Sequence, residues 1–186
     1  MYDVAPKSDD VGTKSGATFA RVTADHCSTR PSSSTLTTAP PFTLPTQKGE
    51  QRSLEDYLKK GPVLLAFHRG TWCPNCRTRF AELAMNAATY TARGWQVVAV
   101  VAQSSTAVRR YVEDKGLPFN ILIDESREVS KAYGVWQRIG IDAWNIARPS
   151  LFLIEPSGTI RYSFVGARQD EFPAHEEILR EMGAGG

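Results

Sequence analysis

The apolar run Val63-Leu64-Leu65-Ala66-Phe67 leads through His68-Arg69-Gly70-Thr71-Trp72 into Cys73-Pro74-Asn75-Cys76-Arg77, and beyond it Phe80, Leu83, Ala84 and Ala87 recur on one helical face. A short continuous apolar run followed by a 3.6-residue period describes a buried strand feeding an amphipathic helix. Pro74 suits the start of that helix, where its missing N–H leaves no bond unmade. The chain therefore delivers two thiols, separated by two residues, onto the first turn of a helix.

That placement dictates chemistry. Backbone N–H groups at a helix start are unpaired and the helix dipole is positive there, so a thiolate is favoured over a thiol. A second thiol within reach can close a disulfide and release whatever the first one attacked. Two cysteines at this spacing also make half of a zinc site, but two more ligands are then needed. The remaining candidates are Cys27, His26, His68 and His175. His26 and Cys27 are adjacent, which is poor ligand spacing, and His68 alternates with core residues as a packed or hydrogen-bonded histidine. Redox chemistry is the better reading, ahead of zinc or of inert buried thiols.

Composition narrows the setting. The 186 residues carry 22 basic and 20 acidic side chains, a net charge of +2, which points to neither a nucleic-acid nor a membrane partner. No apolar run approaches the roughly 20 residues that span a bilayer, and the N-terminus lacks the apolar core of a secretory signal. Three cysteines, one of them left over, suit a reducing cytoplasmic setting. Residues 1–39 are rich in Ser and Thr and poor in large apolar side chains, so they read as a flexible tail that cannot offset its own ordering entropy. Cys27 falls in that tail. A single domain is expected over 40–183.

Within it, strand and helix signals alternate. Phe42 to Pro45 reads as a short strand, Ser53 as the cap of a helical turn ended by Gly61-Pro62, and Val63 to His68 as a strand. Asn75 to Arg93 is helical, Trp95 to Ala102 a strand apolar enough for a parallel sheet, and Ser105 to Lys115 a helix. Phe119 to Asp124 is a strand and Arg127 to Tyr133 a short helix. Ser150 to Ile154 and Ile160 to Val165 form a hairpin across Glu155-Pro156-Ser157-Gly158, and Pro173 to Met182 closes the chain as an amphipathic helix. Parallel βαβ units followed by a hairpin and a helix give an α/β, thioredoxin-like fold: a central mixed sheet flanked by helices.

From residue 40 to 182 the chain resembles the peroxiredoxin-like (AhpC/TSA) branch of the thioredoxin superfamily. The resemblance rests on Ala39-Pro40-Pro41-Phe42-Thr43-Leu44, on the stretch from Ile121 to Val135, and on Phe152 to Arg161. It implies a thiol-dependent oxidoreductase, with reduction of hydrogen peroxide or organic hydroperoxides as the preferred activity. Thioredoxin, or glutaredoxin with glutathione, would be the reductant. It implies no metal, flavin or nucleotide, and no glycine-rich phosphate loop follows any expected strand. Protein disulfide reduction is the alternative, and a redox-inactive sensing module a third reading.

The departures from the family pattern bear on the site. In peroxiredoxins the attacking cysteine lies three residues after a threonine, which places Cys76 in that slot and Cys73 in the threonine's. Thioredoxins attack with the first cysteine of Trp-Cys-x-x-Cys, the form of Trp72-Cys73-Pro74-Asn75-Cys76. The expected position of Cys73 at an exposed helix cap favours it as nucleophile, with Cys76 resolving. The arginine that holds peroxide in the family aligns with Pro149, next to Arg148, and thioredoxins place a cis-proline there. Thr71, Arg148 and Arg69 are the candidate hydrogen-bond and charge donors, with Arg77 beside them, and Trp72 and Pro149 the candidate substrate contacts. Phe67 occupies the position of thioredoxin's buried aspartate. Gln137 to Trp144 reads as an insertion whose Trp136, Ile139, Ile141 and Trp144 cover the core, or else wall the site or form a homodimer contact.

Overall fold

The computed structural model describes residues 37–139 and 144–183. The tail expected up to residue 39 lies outside them as far as residue 36, and Cys27 with it. Residues 37–39 join the domain: Thr38 bridges Thr159, and the Ala39 N–H donates to Gly158 O at 2.8 Å.

A five-stranded mixed sheet forms the centre, in the order β5-β4-β3-β8-β9. β3 (Val63–His68) is its middle strand, parallel to β4 (Gln96–Val101), which is parallel to β5 (Asn120–Ile123). On its other side β3 pairs antiparallel with β8 (Ser150–Ile154), and β8 with β9 (Ile160–Val165). This is the expected α/β thioredoxin-like arrangement. β1 (Thr43–Pro45) and β2 (Gln51–Ser53) form a separate antiparallel pair leading into α1 (Leu54–Leu58). Ser53 caps α1 through a reciprocal exchange with Asp56, so both the start and the direction of this short helix follow from local sequence.

The period-two alternation of β3 divides the core. Leu64 and Ala66 face a layer holding α2 (Pro74–Ala92), α3 (Ser105–Lys115) and α5 (His175–Gly183), where Phe80, Leu83, Val108 and Ile178 pack. Val63, Leu65 and Phe67 face the opposite layer, with Leu54, Tyr57, Val129 and Tyr133. Phe67 sits there in an aromatic cluster, 5.1 Å from Tyr133 and 5.8 Å from Phe152 between ring centroids. It supplies packing where a thioredoxin carries its aspartate.

Two features of the family-like stretch have a physical basis. Asp124, fully buried at the end of β5, accepts from the Ser130 N–H and hydroxyl, each at 2.7 Å, and from the Val129 N–H at 3.3 Å. The carboxylate thereby caps α4 (Glu128–Ala132) and satisfies the charge it would otherwise bury bare. The chain then leaves Tyr133 for a second hairpin, β6 (Trp136–Ile139) and β7 (Trp144–Ala147), pairing Trp136 with Ala147 and Ile139 with Trp144.

That hairpin corrects the reading of Gln137 to Trp144 as an insertion over the core. Trp144 is 73% exposed, and Trp136, half-buried, donates its indole N–H to Asn145 Oδ1 at 2.7 Å. At its base the hairpin joins the body: Ile146 and Ala147 are buried, Arg148 N–H donates to Val135 O, and Arg127 reaches Asn145 O and Ala102 O. Ile141 lies outside the described residues.

Candidate active site

The site forms where β3 ends. Cys73 is the N-cap of α2, with extended backbone angles, and Pro74 follows it at the first helical position. The Cys76 N–H donates to Cys73 Sγ at 3.4 Å, so one of the helix's unpaired donors is aimed at the first sulfur. Both cysteines are free thiols on one helical turn, as the spacing requires. The expected exposure of Cys73 is corrected: it is only 2% exposed, as is Cys76. Cys73 thus caps the helix from within the core cluster that also holds Cys76 and Phe80.

The two sulfurs differ in electrostatics. Burial foremost, then the hydrogen bond and charge of Cys73, push the Cys76 thiol well above its ordinary value. The nearby N–H groups of Gly70 and Arg69 pull it back by less. Cys76 therefore favours its protonated form at neutral pH.

Gly70 to Cys73 make a tight turn, closed by the Cys73 N–H to Gly70 O at 3.4 Å. Thr71 in this turn is buried, and its hydroxyl lies 3.1 Å from Gln103 Nε2 and 3.3 Å from Gln103 Oε1. The Thr71 hydroxyl, expected as a donor to the substrate, is paired with the Gln103 amide. Arg77 donates from Nε to Thr71 O at 2.6 Å and lies over the Tyr111 ring. Trp72 is 44% exposed, with the Arg69 guanidinium 5.0 Å from its ring centroid. Arg69 is itself buried and donates to the Gln169 side-chain carbonyl.

Pro149 and Arg148 arrive from the other side of β3. Phe67 pairs with Ser150, so the next step along the two strands brings Pro149 beside His68 and Arg148 beside Arg69. Pro149 is buried and its carbonyl accepts from the Gly166 N–H at 2.8 Å. The half-buried Arg148 donates from Nε to Gly166 O at 2.9 Å. Cys73, Cys76, Thr71, Trp72, Arg69, Arg148 and Pro149 thus converge on one end of the sheet.

Sequence reasoning missed two contributors. One is Gln103, just past β4, for which the sole cue is that parallel sheets place their working loops at the carboxyl ends of strands. The other is the segment after β9, where Gln169 holds Arg69 and Phe172 stacks on His68 at 5.6 Å. His68, fully buried between Phe172 and Phe80, makes no hydrogen bond from either ring nitrogen among the described residues. Burial, with the Arg79 charge adding to it, pushes its imidazole down to about 3, so it is a neutral packing group.

Comparison with known proteins gives the family. The AhpC/TSA family model matches residues 36–163. The chain belongs to the AhpC/TSA family. It is 32% identical over 145 residues to the thiol-disulfide oxidoreductase ResA of Geobacillus kaustophilus, spanning 77% of this chain and 76% of that protein. It is also 32% identical over 129 residues to the peroxiredoxin Bcp of Escherichia coli, spanning 68% and 81%. In fold it is similar to the peroxidoxin BcpB of Mycobacterium tuberculosis, with a TM-score of 0.68 at 18% identity, covering 78% of this chain and 92% of that one. Peroxiredoxin 6 of Arenicola marina gives 0.70 at 19% identity, with coverage of 80% and 72%. The protein is a thiol oxidoreductase of the peroxiredoxin-like group.

Proposed function

We propose that this AhpC/TSA member reduces a small peroxide through Cys73, with Cys76 resolving within the same chain. The observation that carries the reading is the burial of Cys73 at a helix cap whose free N–H points at its sulfur. A thiol so enclosed admits hydrogen peroxide or a small hydroperoxide more readily than the disulfide of a folded protein. The Cys73 thiolate attacks one peroxide oxygen, the O–O bond breaks, and the departing oxygen takes a proton and leaves as water or an alcohol. Cys73 is then a sulfenic acid. Cys76 gives up its proton and attacks the Cys73 sulfur, water leaves, and the two join as a disulfide. An external dithiol, of the thioredoxin type or glutathione with glutaredoxin, returns both to thiols. Once Cys73 carries no charge, burial is the main obstacle left to ionising Cys76, so resolution accelerates as pH rises above neutral.

A second reading, reduction of another molecule's disulfide, is favoured by one observation: Thr71 Oγ1 and Arg148 Nε are already hydrogen-bonded within the protein. The likeness to ResA, a thiol-disulfide oxidoreductase by name, leans the same way. Stopped-flow tryptophan fluorescence separates the two, because Trp72 adjoins Cys73. The peroxide reading expects the reduced protein to react with hydrogen peroxide at least about a hundredfold faster than a free thiol. A rate no greater than a free thiol's, beside rapid reaction with a disulfide such as that of insulin, overturns it.

A further inference from the structure

The turn that carries Cys73 is fixed by a residue outside both the strand and the helix of the motif. Gln103 Oε1 accepts from the Thr71 N–H at 2.8 Å, and Gln103 Nε2 donates to Thr71 Oγ1 at 3.1 Å. The carbonyl of the same residue is held too, by Arg77 Nε donating to Thr71 O at 2.6 Å. Thr71 is 4% exposed, so its N–H has little water to turn to and depends on that amide oxygen. Gly70 completes the fit. A Cβ there would stand 2.5 Å from Gln103 Oε1 and 2.5 Å from Trp72 Nε1, and its φ of +155° lies where side chains are disfavoured. The glycine leaves the opening through which the amide enters.

The chemical identity of residue 103 follows from what it must do. It has to accept from the Thr71 N–H and pair with the Thr71 hydroxyl, which lies 3.1 Å from Nε2 and 3.3 Å from Oε1 and can accept from the one or donate to the other. It also has to do so without placing negative charge on a loop whose working group is a thiolate. We infer that Gln103 is a positioning residue for Cys73: it locks the Gly70–Cys73 turn that seats the sulfur against the Cys76 N–H, and as a neutral amide it does so without bringing a negative charge to the loop that carries the sulfur. This rests on Cys73 being the attacking thiol and holds for either class of oxidant.

The experiment is the pH dependence of alkylation at Cys73 by iodoacetamide, located by peptide mapping, in the Cys76→Ser protein with and without Gln103→Glu or Gln103→Ala. Gln103→Glu keeps the acceptor for the Thr71 N–H and nearly the same shape. It should slow alkylation of Cys73 about threefold on the rising part of the pH profile, because the added negative charge disfavours a nearby thiolate. Gln103→Ala frees the turn and should also move the profile upward, with a lower urea midpoint. A Gln103→Glu protein whose profile overlays the parent's overturns the inference alone, leaving Cys73 as nucleophile. If Cys73 in the parent is not alkylated at all, the nucleophile assignment falls and this inference falls with it.

Discussion

The Gly70–Cys73 turn and the β6–β7 hairpin leave the same end of the sheet, and each carries an exposed tryptophan, yet their polar groups are satisfied differently. In the turn, the Thr71 N–H and C=O are both held by side chains, one of them from Gln103 on a different strand's loop. In the hairpin the bonds are mostly local: Trp136 to Asn145, and Arg127 to Asn145 O. Arg127 and Asn145 also adopt left-handed angles, φ 63° and 55°, that only a glycine takes without cost. The turn is thus held from a distant loop, whereas the hairpin is buried at its base through Ile146 and Ala147 and exposed at Trp144. Geometric precision is concentrated where the thiol chemistry requires it.

The sharpest way to break this contrast is Gly70→Ala. The new methyl collides with Gln103 Oε1 and Trp72 Nε1 and sits at an unfavourable φ, so a loss of about 2–4 kcal/mol in urea unfolding is expected. A loss below about 1 kcal/mol would mean the turn is less tightly built than its contacts indicate.

Next is the foundation beneath the turn. His68 is neutral in the native state, with a pKa of about 3, whereas in the unfolded chain it takes up a proton below about 6.5. The unfolded state therefore binds more protons between those values, and the His68 contribution is present in full above pH 6.5 and is lost as pH falls toward 3. Between pH 7 and pH 4.5 the loss should be about 2–3 kcal/mol. His68→Phe, which keeps the stack between Phe80 and Phe172, should remove most of that dependence. An equally steep acid dependence in the variant would trace it to other groups.

In the hairpin the effects shrink. Asn145→Ala combines a left-handed alanine with loss of the Trp136 bond and should cost about 1 kcal/mol, while Asn145→Gly should lie within a few tenths of the parent. Trp144→Ser should be smaller still, within about 0.5 kcal/mol, because a side chain that is 73% exposed buries little. A large loss from Trp144→Ser in the isolated domain would show that the hairpin packs more firmly than its local bonding suggests.

The same contrast explains what could be read from sequence. β3, α2, the β8–β9 hairpin and the capped α1 were legible because each follows from a local rule: apolar runs, helical period, proline at a helix start, serine before a first turn. The meeting of Cys73, Cys76 and Pro149 was legible through the resemblance. Gln103 was not, because its value comes from a bond across 32 positions to Thr71, and nothing beside Gln103 signals that partner. The aromatic residues around β6 and β7 suggested core cover on hydrophobicity alone. Their short register and the positive φ at Asn145 turn Trp144 outward instead. His68 was expected to be packed or hydrogen-bonded, and it is packed without the bond.

The central position of β3 bears on biosynthesis. Its parallel partner β4 follows it closely along the chain, but its antiparallel partner β8 is synthesised only after two further helices and three further strands. A nascent chain can thus hold Cys73 and Cys76 on a formed α2 while one edge of β3 is still bare and Pro149 has not been made. During translation the two thiols are covered on one side only, and sulfur chemistry with the wrong partner is open to them until Ser150 to Ile154 dock. The late strand closes the sheet and ends that interval.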